Sequence, residues 1–109
     1  MAGYSDFEYE LINQQDITFV KVRGFLDAHT YESMSRLFEE LFESKIRRIV
    51  IDLSQVSYIS SAGAGVFIGA LERSHEVNGE IVLMQPSETV LDVFDMLGLT
   101  QIFSFADSE

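Results

Sequence analysis

The chain has no cysteine, no tryptophan, one proline, and only 7 basic residues against 18 acidic ones. Without thiols there can be neither a disulfide framework nor a thiolate metal site, thiol redox catalysis is excluded, and a reducing cytoplasm is the expected setting. The shortage of cations leaves a formal net charge of −11. Such a charge repels nucleic-acid backbones and anionic lipid, so no nucleic-acid or membrane partner is expected. Long apolar runs are missing too. The longest nearly unbroken stretch, Ala62 to Leu71, holds three glycines and falls short of the roughly 20 residues a bilayer span needs. The opening residues Met1 to Asp6 lack the basic and apolar regions of a secretory signal.

What is present fits one domain. A chain of 109 residues buries roughly two-thirds of its unfolded surface on folding, enough for a single core. Residues 1–109 are therefore read as one unit, with 1–5 and 107–109 as frayed ends. Phe7 to Asn13 and Ile17 to Val22 alternate apolar and polar residues on either side of the polar turn Asn13-Gln14-Gln15-Asp16, which predicts a β-hairpin closed by Gly24. Thr30 is the expected N-cap of a first helix, whose buried face is spaced Tyr31, Met34, Leu37, Phe38, Leu41 and Phe42. Lys45, Arg47 and Arg48 at its end are read as structural cations that complement the helix dipole. Ile49-Val50-Ile51 predicts a buried strand, and Ser54-Gln55-Val56-Ser57 a loop before Tyr58-Ile59.

A second helix follows from Ala62 to about Glu76 and ends at Asn78-Gly79; Glu80 to Met84 is a strand. Ser87 and Glu88 open a third helix stopped by Gly98, and Ile102 to Phe105 is a last strand. Strands alternating with crossover helices imply an α/β fold, a mixed five-stranded sheet with an antiparallel first hairpin and parallel central strands. Three helices shield mainly one face of such a sheet. The other face is left to the first strand, to solvent or to a second copy in a homodimer.

The segment Ser60-Ser61-Ala62-Gly63-Ala64-Gly65 is where chemistry concentrates, because it follows a strand and opens a helix. Free backbone N–H groups and the positive end of the macrodipole gather there, so the site tolerates an anion, either a ligand phosphate or a phosphoryl group on the serine itself. The plain structural alternative for Ser61 is an N-cap, and that for Gly63, Gly65 and Gly69 is close helix packing. The glycines do not make a dinucleotide fingerprint, because the strand order is wrong, and no Gly-Lys-Ser/Thr supplies a phosphate-binding lysine. Ser61 has no nucleophile elbow around it, and the two histidines, His29 and His75, give neither a catalytic partner nor a metal site. The residues alone describe a small acidic binding module, with no enzyme activity, cofactor or metal expected.

Several spaced motifs together resemble the STAS domain of anti-sigma factor antagonists over nearly the whole chain. Gly24-Phe25-Leu26-Asp27-Ala28-His29-Thr30 is similar to the family's Gly-Glu-Leu-Asp-x-x-Thr. Ile51 to Ile59 resembles its central strand and loop, and Met96-Leu97-Gly98-Leu99-x-x-Ile102 its C-terminal signature. Ser61 corresponds to the serine of the family's Asp-Ser-Ser/Thr-Gly-Leu-Gly, while Ser60, Ala62 and Ala64 replace the aspartate, the second hydroxyl residue and the leucine. The resemblance implies phosphorylation at Ser61, with Ser60 as reserve acceptor, and a partner face of Asp27, Thr30, Ser60, Ser61, Ala62, Gly63 and Gly65. It also implies two cytoplasmic partners: an anti-sigma factor that is a serine kinase of the histidine-kinase-like ATPase type, and a metal-dependent serine phosphatase. In that scheme the unphosphorylated protein binds the anti-sigma factor and the phosphorylated one releases it. Two other functions fit the residues: a constitutive STAS scaffold, for which the missing aspartate is the clue, and a small nucleotide-binding protein using the glycine-rich helix start.

Overall fold

Phe7–Gln14 (β1) and Ile17–Leu26 (β2) form the antiparallel hairpin, with Gln15 turning at φ +57° between them, in a computed structural model that describes residues 7–106. The ends expected to fray lie outside the described residues. The chain continues through Tyr31–Glu43 (α1), Arg48–Ile59 (β3), Ser61–Glu76 (α2), Glu80–Met84 (β4), Glu88–Met96 (α3), a 3₁₀ turn at Leu99–Gln101 and Ser104–Ala106 (β5). The five strands lie in chain order in one sheet, and every pair after the first hairpin is parallel. This is the mixed α/β sheet that the alternation of elements implies.

Paired residues in neighbouring strands share a face. Val20 pairs with Ile51 and Ile51 with Leu83, and these three, with Val22, Ile49, Leu53 and Ile81, are buried. They form one cluster with Met34, Leu37 and Phe38 of α1, Ala64 and Phe67 of α2, and Val90 and Phe94 of α3, so all three helices supply the cover of a single face. Aromatic rings stitch the layers together. Phe67 lies 5.7 Å from Phe38 and 5.8 Å from Phe94 in edge-to-face contacts, and Phe94 lies 6.4 Å from Phe105 of β5. On the opposite face the register lines up Ile12, Phe19, Val50 and Val82 in a row that is only partly buried.

Several expectations change: β2 runs through Gly24 to Leu26, Tyr31 is exposed at the start of α1, and the last strand is Ser104–Ala106, with Ile102 closing the 3₁₀ turn. Ser54 to Ser57 is not a loop: β3 runs unbroken to Ile59, with register shifts against β2 that leave Leu53, Val56 and Ile59 buried three residues apart instead of two. Bulges of this kind break the alternation by which a strand is recognised. The cations after α1 also act differently from expected. The helix stops at Glu43 with no basic residue in its last turn. Arg47 instead donates to the carbonyl of Val77, and Arg48 reaches Asp16 at 3.4 Å and Glu80 at 3.6 Å, so both tie the amino-terminal ends of the strands together.

Candidate functional site

At the opposite end of the sheet, the carboxyl ends of β2 and β3 hold the start of α2. The Ser60 N–H donates to the Leu26 carbonyl at 2.8 Å, which pins the segment to the last residue of β2. Gly63 completes the approach: a Cβ there would sit 2.4 Å from that same carbonyl oxygen, so only glycine fits. Its expected packing role is real, and the residue is buried. Gly65 and Gly69 are different. A Cβ on either would meet nothing within 4 Å, so neither serves close packing inside the domain.

The two serines divide their roles. Ser60 is the N-cap, half-buried, its Oγ accepting from the Gly63 N–H at 3.2 Å. The capping role considered for Ser61 therefore falls to its neighbour. Ser61 is the first residue of the helix proper, and its side chain is exposed. A helix start leaves four N–H groups without helical acceptors. Here Ser60 and Gly63 find partners, while the N–H groups of Ser61 and Ala62 have no protein acceptor among the described residues. No acidic side chain lies in the first turn to offset the dipole. A hydroxyl open to solvent thus stands beside two free donors and an uncompensated positive helix end, an arrangement that stabilises negative charge placed on that hydroxyl.

The adjoining loop is locked by its own polar groups. Asp27 Oδ1 accepts from the His29 N–H at 2.9 Å, and the Thr30 hydroxyl accepts from the Asp27 N–H at 3.0 Å while donating to the Phe25 carbonyl at 2.7 Å. Thr30 occupies the N-cap position of α1, as expected, yet its oxygen makes no capping bond and holds the loop instead. Asp27 and Thr30 are half-buried, Ala62 and Gly65 exposed. The sequence-predicted residues thus converge on one end of the domain. Gly63, expected on the partner face, lies beneath the surface.

Two exposed aromatic residues stand at the same end of the sheet. Phe25 and Tyr58, 42% and 47% exposed, stack edge to face at 6.4 Å on the paired ends of β2 and β3. The signal was present in strand parity: each precedes a buried residue, Leu26 or Ile59, and therefore points to the other side. Reading Ser54 to Ser57 as a loop hid it. Exposed paired aromatics near a polar site are typical anchors of protein recognition.

A small mixed-sheet domain with an exposed hydroxyl on its rim, one hydrogen-bonded loop and one exposed aromatic pair at the same end of the sheet, has the form of a surface-recognition module. The chain belongs to the STAS domain family, whose model matches residues 8–109. It is 27% identical over 94 residues to an anti-sigma F factor antagonist of Lysinibacillus sphaericus, covering 85% of this chain and 80% of that one. Identity to an anti-sigma-B factor antagonist of Staphylococcus epidermidis is 28% over 93 residues, 85% of this chain and 86% of that one. Among solved structures, the fold is similar to that of the anti-sigma factor antagonist SpoIIAA in its unphosphorylated form, with TM-score 0.77 and 24% identity over 92% of this chain and 89% of that one. It is also similar to the Bacillus cell-fate determinant SpoIIAA in its phosphorylated form, with TM-score 0.71 and 24% identity over 92% of each chain. No helix among the described residues is long and apolar enough to cross a membrane.

Proposed function

We propose that this protein is an anti-sigma factor antagonist, a non-enzymatic cytoplasmic module switched by phosphorylation at Ser61. Unphosphorylated, it binds an anti-sigma factor that is also a serine kinase of the histidine-kinase-like ATPase type. Phosphorylation ends the binding, and a metal-dependent serine phosphatase restores it. The observation that carries this reading is the exposed Ser61 hydroxyl at the start of α2 beside two unpartnered N–H groups. The names of the relatives and the phosphorylated form of the structural neighbour point the same way.

The physics of the switch is local. A phosphoserine adds about −1.5 to −2 charges, which the helix start stabilises by roughly 0.3 to 1 kcal/mol, so the fold is kept. In a docked interface the same group is an unpaired charge, costing about 3 to 5 kcal/mol, or on the order of 10² to 10³·⁵ in affinity. Ser60 is the poorer acceptor, because its oxygen already caps the helix. Asp27, Thr30, Ala62 and Gly65 are assigned to the partner face with Ser61, and Gly63 supports them from below.

Incubation with the cognate kinase and ATP, followed by mass spectrometry, is expected to find phosphate on Ser61. Ser61→Ala should bind the anti-sigma factor constitutively and Ser61→Glu at least about a hundredfold more weakly. The occupation of the family's aspartate position by Ser60 favours a second reading, a constitutive scaffold. Equal affinity of the two Ser61 variants, with no phosphate incorporated, would establish that reading in place of the switch.

A further inference from the structure

Gly65 and Gly69, one turn apart on the exposed side of α2, have no use inside the domain. A Cβ on either meets open space, and glycine weakens a helix relative to alanine. Both open onto a groove of about 500 Å³ between α1 and α2. Tyr31 and Ala62 line it where the two helices begin, and Phe42 and Arg73 where they end, with the Arg73 guanidinium 5.9 Å from the centre of the Phe42 ring. The helices therefore run side by side in the same direction, and from Tyr31 to Phe42 the groove extends about 16 Å, three helical turns. On α1 the lining mixes Ser35 and Glu39 with the exposed Tyr31 and the buried Phe38 and Phe42, the floor at the glycines is bare backbone, and Glu39, Glu72 and Glu76 stand against Arg73, the single cation of the lining.

We infer that this groove receives a basic amphipathic helix of the partner protein. Small residues four apart let two helix backbones come close, and Tyr31 and the half-buried Val66 offer apolar contact to a helix laid alongside. Charge selects the occupant. The lining carries three carboxylates, Glu39, Glu72 and Glu76, and one cation, Arg73, so a second copy of this surface is repelled while a helix flanked by lysine or arginine is attracted. The inference rests on the proposed function: Ala62, in the lining where the two helices begin, adjoins Ser61, so the anti-sigma factor that reads the serine lies along the groove.

The test is calorimetric titration of the full-length protein with its purified anti-sigma factor, at low and at physiological salt. Gly65→Leu/Gly69→Leu fills the groove while raising helix propensity, so its Tm should equal or exceed that of the wild type while its affinity falls by at least about tenfold. Glu72→Gln/Glu76→Gln, which leaves the groove open, should weaken binding about three- to tenfold at low salt and flatten its salt dependence. Wild-type affinity in both pairs of variants overturns the inference and removes Gly65 from the partner face, while the switch at Ser61 stands. Failure of the wild type itself to bind removes the proposed function and this inference with it. A homodimer that the leucine pair dissociates assigns the groove to a second copy and overturns the inference too.

Discussion

Lys45 leaves the end of α1 at φ +67°, a left-handed conformation that side chains resist and glycine adopts freely. Its replacement should stabilise the protein: Lys45→Gly is expected to raise the unfolding free energy by about 1 kcal/mol, read as a higher urea midpoint at unchanged slope. Glycines on α2 should respond to substitution with opposite signs. Gly63→Ala drives a methyl group into the Leu26 carbonyl and should cost about 1 to 3 kcal/mol, whereas Gly65→Ala meets open space and should gain up to about 1 kcal/mol. Serines separate likewise: Ser60→Ala loses the cap at about 1 kcal/mol, and Ser61→Ala should stay within about 0.5 kcal/mol of wild type. Thermal melts of the four variants check all of this. The sequence could not say which serine caps, because both carry the same hydroxyl. The hydrogen bond from Ser60 to Leu26, 34 positions earlier, fixes the helix start, and no local pattern contains it.

Among the elements, β3 shows where sequence reasoning fails and why. Its first half, Ile49 to Ile51, announces itself as an apolar run, but beyond Asp52 two bulges shift the buried positions to every third residue, and the segment reads as polar loop. The same geometry predicts a gradient of protection. Arg48 to Asp52 pair with both β2 and β4, whereas Gln55 to Ile59 pair with β2 alone. Amide hydrogen exchange should therefore be markedly slower for Ile49 to Asp52 than for Gln55 to Tyr58. The helices were legible because their apolar faces are periodic. Phe94 on α3 is fully buried and meets the rings of Phe67 on α2, Phe103, and Phe105 on β5. Phe94→Ala should cost about 3 to 5 kcal/mol, measured by denaturant titration, because the ring leaves a cavity shared by several elements.

For the molecule as a whole, charge is the dominant long-range term. With a formal net charge of −11 and ion pairs exposed on its surface, the folded state is opposed by its own repulsion more than it is helped by the pairs. Added sodium chloride should raise Tm between low and physiological ionic strength, since screening relieves the repulsion before it weakens anything of comparable size. A falling Tm over that interval would mean that the ion pairs matter more than argued. The global architecture was legible almost entirely: element order, a parallel centre and helices gathered on one face all follow from periodicity and connection rules. What was not legible, the aromatic pair at Phe25 and Tyr58 and the open groove beside Gly65 and Gly69, depends on what lies across space from each residue.

That the strands lie side by side in the order in which the chain visits them carries a consequence for biosynthesis. A ribosome delivering this polypeptide from its amino end releases each strand after the neighbour it must join, so the sheet can grow by accretion at one margin. No later segment has to wedge between two already joined. Assembly can thus keep pace with translation, and each growing margin stays exposed only until the next strand emerges.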